Sequence, residues 1–172
     1  MNLPQLLEYL GNKKDFLQNI TTWKTIQAQS AITVPFPELV PEKITKILQE
    51  EGISSLYSHQ ASAYEQIRAG NNVVIVTPTA SGKTLTYNLP ILTSLLEDKE
   101  IRTLYLFPTK ALAQDQVHEL HNMIDKLGEP IICHTFDGDT PPEVRRTIRS
   151  AGHIASHPLV NLMINMPPHV RL

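Results

Sequence analysis

The chain has 172 residues, of which 41% are hydrophobic and 19% are charged, and this is the size and composition of about one globular domain. These values exclude a large multidomain machine, a fibrous chain and a disordered chain. The formal net charge of −2 provides no overall positive field toward nucleic acid or membrane, although a local basic groove would still attract either of them.

Cysteine usage and hydropathy indicate the compartment. The single cysteine, Cys133, has no partner for an internal disulfide, and no Cys/His cluster has the spacing of a zinc site. We therefore expect a reducing, cytoplasmic setting. The first ten residues carry no basic leader region, and no apolar run approaches the ~20 residues of a membrane span, so we expect neither secretion nor membrane insertion.

The first part of the chain is predicted to be helical. Four leucines follow the helical i, i+3, i+4, i+7 spacing, and Gly11 is expected to cap their helix: Leu3, Leu6, Leu7 and Leu10. Pro41 suits the first turn of a second helix, which Gly52 ends. Three residues are expected to face inward on it: Ile44, Ile47 and Leu48. Ser58 is expected to cap a third helix, which runs to Gly70.

Strands and helices are predicted to alternate after residue 71. Apolar runs predict strands at Asn72–Thr77, Thr103–Phe107 and Ile131–Phe136, with a candidate fourth strand at Gly152–Ala155. Helices are predicted from Lys83 to Leu96 with a disturbance at Pro90, from Lys110 to Leu127 with Gly128 as cap, and from Pro142 to Ser150. This alternation predicts an α/β fold with a parallel sheet and helices on both faces, in which ligands bind at the carboxyl ends of the strands.

The segment after the first predicted strand has the pattern of a phosphate-binding loop. It reads Thr77-Pro78-Thr79-Ala80-Ser81-Gly82-Lys83-Thr84 and leads at once into a helix. In such a loop backbone N–H groups face an anion, the lysine ammonium reaches the β and γ phosphates, and the threonine hydroxyl ligates Mg²⁺. Thr77 stands where the usual pattern has its first glycine, but the flanking strand and helix favour a true site over a chance Gly-Lys-Thr. We predict that ATP or ADP binds here with Mg²⁺.

Two further segments carry chemistry. Gln60, in the upstream run LYSHQ, has a carboxamide that suits paired hydrogen bonds to the N6 and N7 edge of adenine, although an exposed glutamine at a helix start is more often a solvated residue. Downstream, the run PTKALAQ places Thr109 and Lys110 at a helix start, where they suit a backbone phosphate. The alternative for this second segment is an ordinary strand-to-helix cap.

These three elements, in this order, resemble the first motor domain of superfamily 2 helicases, with Gln60 in the place of the Q motif, TPTASGKT in that of motif I and PTKALAQ in that of motif Ia. The runs LYSHQ, TPTASGKTL, YLFPTKALAQDQ and FDGDTP are most similar to the MrfA-like branch of DEAD/DEAH-box DNA repair helicases, from Trp23 to Ile154.

The resemblance implies a RecA-like three-layer α/β domain that uses ATP and Mg²⁺. Its implied partner is single-stranded or partly duplex DNA, with RNA left open. It also implies nucleic-acid contacts at four positions: Pro108, Thr109, Lys110 and Gln114.

The chain departs from that family after FDGDTP. The run Ile154-Ala155-Ser156-His157-Pro158 follows the family pattern only in part, and the sequence contains no Asp-Glu pair. Motif II with its Mg²⁺-binding and water-activating carboxylates is therefore missing from this sequence, as is a second motor domain with its arginine finger. Asp137 or Asp139 would have to replace the magnesium carboxylate, but Asp-Gly-Asp is a common turn, and we favour the turn.

The other polar residues are expected to have ordinary roles. His118 and His121 lie three apart without a third metal ligand, so we predict surface residues. Cys133 is predicted to be an inert buried thiol. Three arginines on the last predicted helix are expected to form a solvated basic face: Arg145, Arg146 and Arg149.

We assign residues 1–55 to an N-terminal helical extension and residues 56–172 to a partial ATP-binding motor domain. The predicted function is that of the N-terminal motor domain of an ATP-dependent DNA helicase or translocase in DNA repair. The alternative is a truncated module that binds nucleotide and nucleic acid without hydrolysis, which the missing acidic pair favours for this polypeptide by itself. A P-loop kinase is disfavoured, because motif Ia has no role there.

Overall fold

The computed structural model describes residues 1–22, 24, 26–27, 30–78 and 81–158. The chain contains two compact units, which divide between Ala31 and Ile32. The predicted domain boundary between residues 55 and 56 stays a prediction, and the contacts divide the chain at a different place. No helix in the described ranges is both long enough and apolar enough to cross a membrane.

The N-terminal unit contains two short helices, α1 (Leu3–Gly11) and α2 (Lys14–Leu17). A capping box begins α1, because the side chains of Asn2 and Gln5 each accept a hydrogen bond from the other residue's backbone N–H. The predicted first helix is confirmed, but none of its residues is buried, and Asn12 rather than Gly11 is its C-cap.

The second unit begins with a small antiparallel pair, β1 (Thr33–Val34) and β2 (Leu56–Tyr57). Between these strands lies α3 (Glu42–Glu50), which buries the three apolar residues that its spacing selected. Helix α4 (Ser58–Arg68) begins directly after β2, so Tyr57 is its N-cap and Ser58 is its first residue, not the predicted cap.

The remaining elements follow in chain order: α5 (Lys83–Glu97), β3 (Thr103–Phe107), α6 (Lys110–Leu127), β4 (Cys133–Thr135), α7 (Pro142–Ala151) and β5 (Ile154–Pro158). The three strands form a parallel sheet in the order β3-β5-β4, in which Ile154 lies opposite both Thr103 and Cys133. The predicted parallel sheet is confirmed, and β3 and α6 have the predicted bounds. β4 is shorter than predicted, and β5 continues past the predicted end to Pro158.

The predicted strand at Asn72–Thr77 is wrong. These residues form no regular secondary structure, and the side chains of Val74 and Val76 are 89% and 90% exposed. A β-branched run becomes a strand only when a neighbouring strand satisfies its backbone N–H and C=O groups. No strand in the described part of the chain pairs with this run, so its local preference has no effect.

The core of the second unit lies between the helices and one face of the parallel sheet. Its large, fully buried apolar side chains come from α3, β2, α4, α5, α6 and β5: Ile44, Leu48, Leu56, Tyr64, Leu89, Leu92, Leu95, Leu120, Leu127 and Ile154. Pro90 is also fully buried, and α5 continues through it to Glu97. The core therefore joins the second half of α5 to the start of β5.

Candidate functional site

The predicted phosphate-binding loop folds around the ammonium of Lys83, the first residue of α5. Its Nζ donates to the backbone carbonyls of Thr77 at 2.7 Å and Pro78 at 2.6 Å. The hydroxyls of Thr77 and Ser81 lie 3.1 and 3.3 Å from the same nitrogen. The loop therefore presents several oxygen atoms to one cation. Thr79 and Ala80, which are also predicted to face phosphate, lie outside the described residues.

Gly82 joins this loop to α5. Its φ of +72° lies in the left-handed region that favours glycine. A Cβ at this position would lie 2.6 Å from Nε2 of Gln60, so the neighbouring side chain also requires glycine here. Among the described residues, no side chain caps α5 or accepts from its first backbone N–H groups. This is the arrangement in which a helix start binds an anion.

Gln60 connects the start of α4 to the loop. Its side chain is only 5% exposed, so the alternative of a solvated glutamine is wrong. Its Oε1 accepts from the N–H of Tyr57 at 2.8 Å, and its Nε2 donates to the carbonyl of Gly82 at 2.9 Å. A carboxamide has two donor hydrogens and two acceptor lone pairs, so one of each remains. The two hydrogen bonds to the backbone fix the orientation of the remaining donor and the remaining acceptor.

Two aromatic rings beside Gln60 received no role from the sequence. The rings of Tyr57 and His59 stack with centroids 5.6 Å apart and 12° between their planes. The Nε2 of His59 lies 3.0 Å from the carbonyl oxygen of Ser81, while Tyr57 is 39% exposed. The sequence feature that could have indicated both residues was their position in LYSHQ, on either side of Ser58. An exposed ring next to a phosphate-type loop can stack on a nucleobase.

The second predicted region lies where β3 passes into α6. The hydroxyl of Thr109 accepts from the N–H of Leu112 at 3.2 Å and so caps α6. Lys110 forms an ion pair with Asp139, and its Nζ lies 3.7 Å from Oδ2 of Asp137. Thr109 thus has the ordinary capping role, whereas Lys110 reaches across to the turn that follows β4.

A cavity of about 180 Å³ opens at this edge of the sheet, and Lys110 and Gln114 of α6 line it together with His134 and the turn residues. Pro108, which directly follows β3, is exposed. The structure thus brings Lys110 and Gln114 together at one cavity, at the carboxyl ends of β3 and β4.

The turn itself, Asp137–Thr140, is closely hydrogen-bonded. Asp137 is 4% exposed, and its Oδ1 accepts from the N–H of Asp139 at 2.9 Å and from the hydroxyl of Thr140 at 3.3 Å. The guanidinium of Arg145 donates to the carbonyls of Asp137, Gly138 and Thr140 at 2.7, 3.0 and 2.8 Å. The solvated role predicted for Arg145 is therefore wrong, because this side chain holds the turn.

The carboxylates of Asp137 and Asp139 both face Lys110. In the described ranges, no group of three His, Cys, Asp or Glu side chains has the arrangement of a metal site. These contacts give the Asp-Gly-Asp run the role of an ordered turn that pairs with a lysine.

Two other predictions concern the sheet edge at β4. Cys133 is 2% exposed, and burial raises the pKa of its thiol to about 12, which agrees with an inert buried thiol. His121 is not a simple surface residue, because its Nε2 lies 2.7 Å from the carbonyl oxygen of Cys133.

Residues 57–167 match the family model of the DEAD/DEAH box helicases. The chain belongs to this family. Its predicted RecA-like α/β fold is confirmed, and the DEAD-box helicase Mss116 shares it with a TM-score of 0.64 at 19% identity, covering 76% of this chain and 30% of Mss116.

The chain is similar to several ATP-dependent helicases. The uncharacterized ATP-dependent helicase YprA of Bacillus subtilis (strain 168) is 51% identical over 137 residues, which are 80% of this chain and 18% of YprA. The crystal structure of the DUF1998 helicase MrfA bound to DNA and AMPPNP has a TM-score of 0.79 at 46% identity, and covers 92% of this chain and 22% of MrfA. The predicted relation to the MrfA-like branch is confirmed.

A more distant relative is the ATP-dependent DNA helicase Hel308 of Pyrococcus abyssi, with 39% identity over 105 residues, which are 60% of this chain and 14% of Hel308. The chain spans about a fifth or less of the length of each of YprA, MrfA and Hel308.

Proposed function

We propose that the chain is the nucleotide-binding segment of a helicase motor domain, which binds ATP at the Gly82–Lys83 loop and a nucleic-acid strand at the carboxyl ends of β3 and β4. The observation that carries this proposal is the cradle around the Lys83 ammonium. In this proposal the motor domain comprises residues 56–172, and residues 1–55 form a helical extension.

The loop suits a nucleotide phosphate. Lys83 Nζ already lies among four loop oxygens. Phosphate oxygens would accept the same hydrogen bonds from this ammonium and would add a full negative charge. The start of α5, which no side chain of the described residues caps, adds backbone N–H donors next to Gly82 and Lys83. Thr84, the next residue, would hold Mg²⁺ that enters with the nucleotide. That ion would neutralise charge on the β and γ phosphates and keep most of its ligands from phosphate and water.

Gln60 supports adenine as the base. The donor and the acceptor that its carboxamide has left are the pair that the N7 and N6 edge of adenine requires. Its bonds to Tyr57 and Gly82 hold this pair next to the phosphate loop. The exposed ring of Tyr57 offers a surface on which the base can stack.

The second edge suits a phosphate backbone. Lys110 supplies a cation, Thr109 begins α6, and Gln114 adds an amide to the cavity that Lys110 lines, while Pro108 leads the chain into this edge. Contacts of this type give affinity without sequence preference. We propose DNA as the strand, since MrfA has been crystallised with DNA and Hel308 is a DNA helicase.

The remaining parts of the proposal concern a whole helicase. A second motor domain would supply the arginine that faces the γ phosphate. This sequence contains no Asp-Glu pair, so hydrolysis would also require the Mg²⁺-binding carboxylates of motif II. We propose a role in DNA repair. The single buried thiol agrees with a cytoplasmic protein.

Titration calorimetry with Mg-ATP and Mg-ADP tests the nucleotide site. We expect Lys83→Ala to weaken binding at least ~10-fold, because a charge-assisted hydrogen bond contributes roughly 1.5–3 kcal/mol. Lys46→Ala is the matched control, since Lys46 lies on the exposed face of α3 and, among the described residues, pairs only with Glu42 four residues before it. Equal binding by the wild type and Lys83→Ala would show that the loop is not the nucleotide site.

A further inference from the structure

Lys110 supplies the cation of the proposed strand contact, and two carboxylates already lie beside it. Asp139 forms the closer ion pair, and Asp137 lies 3.7 Å from the same ammonium. The side chain of Lys110 is 39% exposed, that of Asp139 is 81% exposed and that of Asp137 is 4% exposed. One carboxylate is therefore buried and fixed, while the other lies at the surface.

The buried carboxylate cannot move away from Lys110 without breaking the turn. Asp137 accepts two hydrogen bonds from within the turn, and its own N–H donates to the hydroxyl of Thr140 at 2.8 Å. Arg145 donates to three carbonyls of the same turn and packs its guanidinium 5.4 Å from the centroid of the Phe136 ring. The turn thus holds the Asp137 carboxylate in place when α7 is folded.

Among the described side chains that line the cavity, Lys110 is the cation, and it is already paired with carboxylates. Two carboxylates face one ammonium, and the other polar side chains that line the cavity carry no fixed charge: Gln114, His134, Thr135 and Thr140. A strand phosphate that approaches Lys110 finds the ammonium already paired with a carboxylate. It also competes with a carboxylate that the chain itself holds at high effective concentration.

We propose that Asp139 occupies Lys110 as an internal substitute for a strand phosphate, and so weakens this edge's contact with nucleic acid and lowers the salt dependence of that contact. Asp137 acts as a positioning residue, which holds the ammonium at the mouth of the cavity. Strand binding then requires Lys110 to exchange the exposed carboxylate for a phosphate. This inference rests on the proposed function, since it assumes that Lys110 contacts the strand.

The interaction between Lys110 and Asp139 lowers the pKa of the Asp139 carboxyl below its ordinary value and raises that of the lysine. The pair is therefore fully ionised at neutral pH, where a strand would bind.

Fluorescence anisotropy with a labelled oligo(dT) strand tests the inference on the full chain at several salt concentrations. We expect Asp139→Asn to tighten binding roughly 3- to 10-fold at low salt and to steepen the salt slope by about 0.7, the value for one more phosphate neutralised on a single strand. Asp125→Asn removes the same charge from the exposed far end of α6, where it has no ion pair among the described residues, and should leave binding unchanged.

The double variant Lys110→Ala with Asp139→Asn separates a specific pair from a general charge effect. In the Lys110→Ala background we expect Asp139→Asn to have no effect. Equal tightening in both backgrounds would overturn the inference, because Asp139 would then act on the strand directly. If Lys110→Ala weakens strand binding but Asp139→Asn leaves it unchanged, the inference is overturned and the proposed function stands. Absence of binding by every variant would overturn both.

Discussion

Gln60 shows how much depends on one buried polar side chain. Its carboxamide bonds the backbone of Tyr57 and Gly82, so it ties the start of α4 to the loop that precedes α5. The same side chain leaves no room for a Cβ at Gly82. A residue proposed to select the base therefore also shapes the phosphate loop.

We expect Gln60→Ala to lower the free energy of unfolding by about 1–3 kcal/mol, because two part-buried hydrogen bonds to the backbone, each contributing roughly 0.5–1.5 kcal/mol, are lost. It should also reduce the preference for ATP over GTP by more than it reduces total affinity, since a site built on hydrogen bonds discriminates by leaving groups unpaired. Urea unfolding and calorimetry with both nucleotides measure the two effects.

Gln49→Ala, on the exposed face of α3, is the matched control for both measurements. If the wild type binds GTP as well as it binds ATP, then Gln60 does not read adenine. If Gln60→Ala is as stable as the control, the two backbone bonds contribute nothing.

At the scale of elements, Glu129 connects three parts of the second unit. It follows α6, and its carboxylate pairs with Lys43 of α3 at 2.7 Å and with Lys99, just after α5, at 2.9 Å. Hydrogen bonds from Lys43 and Lys99 lower the pKa of Glu129 to about 2. Because the folded pKa lies below the ordinary value, this network stabilises the fold above about pH 4.5, and its contribution is lost as the pH falls toward 2.

We therefore expect Glu129→Gln to be less stable than the wild type at pH 7 and equally stable near pH 2. The wild type should lose stability more steeply between these values. Urea unfolding across this pH range measures the difference. Glu65→Gln, on an exposed position of α4 outside any described ion pair, should follow the wild-type curve, and a Glu129→Gln curve that does the same would contradict the prediction.

At the scale of the whole molecule, the second unit exposes apolar side chains on two segments. Val74 and Val76 are almost fully exposed in the run before the phosphate loop. On the edge strand β3, Leu104 and Leu106 are 56% and 43% exposed, on the face opposite the buried Tyr105. Surfaces of this kind drive association in soluble proteins.

We expect the purified chain to self-associate as its concentration rises, and the double variant Val74→Thr with Val76→Thr to do so at a higher concentration. Light scattering after size-exclusion chromatography measures this. Leu39→Thr changes a single exposed apolar residue elsewhere and is the control. A strictly monomeric wild type, or equal association by all three proteins, would show that these valines do not mediate contact.

The last prediction at this scale concerns turnover. We expect the 172-residue chain to release phosphate from ATP near the background rate, with or without single-stranded DNA, because its sequence has no Asp-Glu pair and an arginine finger alone contributes ~10³ to 10⁵ in rate. A phosphate-release assay with Lys83→Ala as reference measures this. Robust release that depends on Lys83 would mean that Asp137 or Asp139 serves the metal and that the chain is an enzyme by itself.

Much of the fold follows from local sequence. The bounds of α6 were predictable because Thr109 caps one end and Gly128, with φ of +62°, caps the other. The inward face of α3 followed from the spacing of its apolar residues. The Gly-Lys-Thr loop was recognisable because its chemistry lies in consecutive residues. The caps of α6, apolar periodicity and loop motifs depend on neighbours in sequence, so sequence alone determines them.

Other features depend on residues that are distant in the chain. The run Asn72–Thr77 has every local sign of a strand, yet it has no neighbour with which to form a ladder in the described part of the chain. Gln60 is buried because Gly82 packs against it, and Lys110 is paired because the turn after β4 comes to the end of β3. Burial and pairing of this kind arise only when separate elements pack together, and so the tertiary structure alone reveals them.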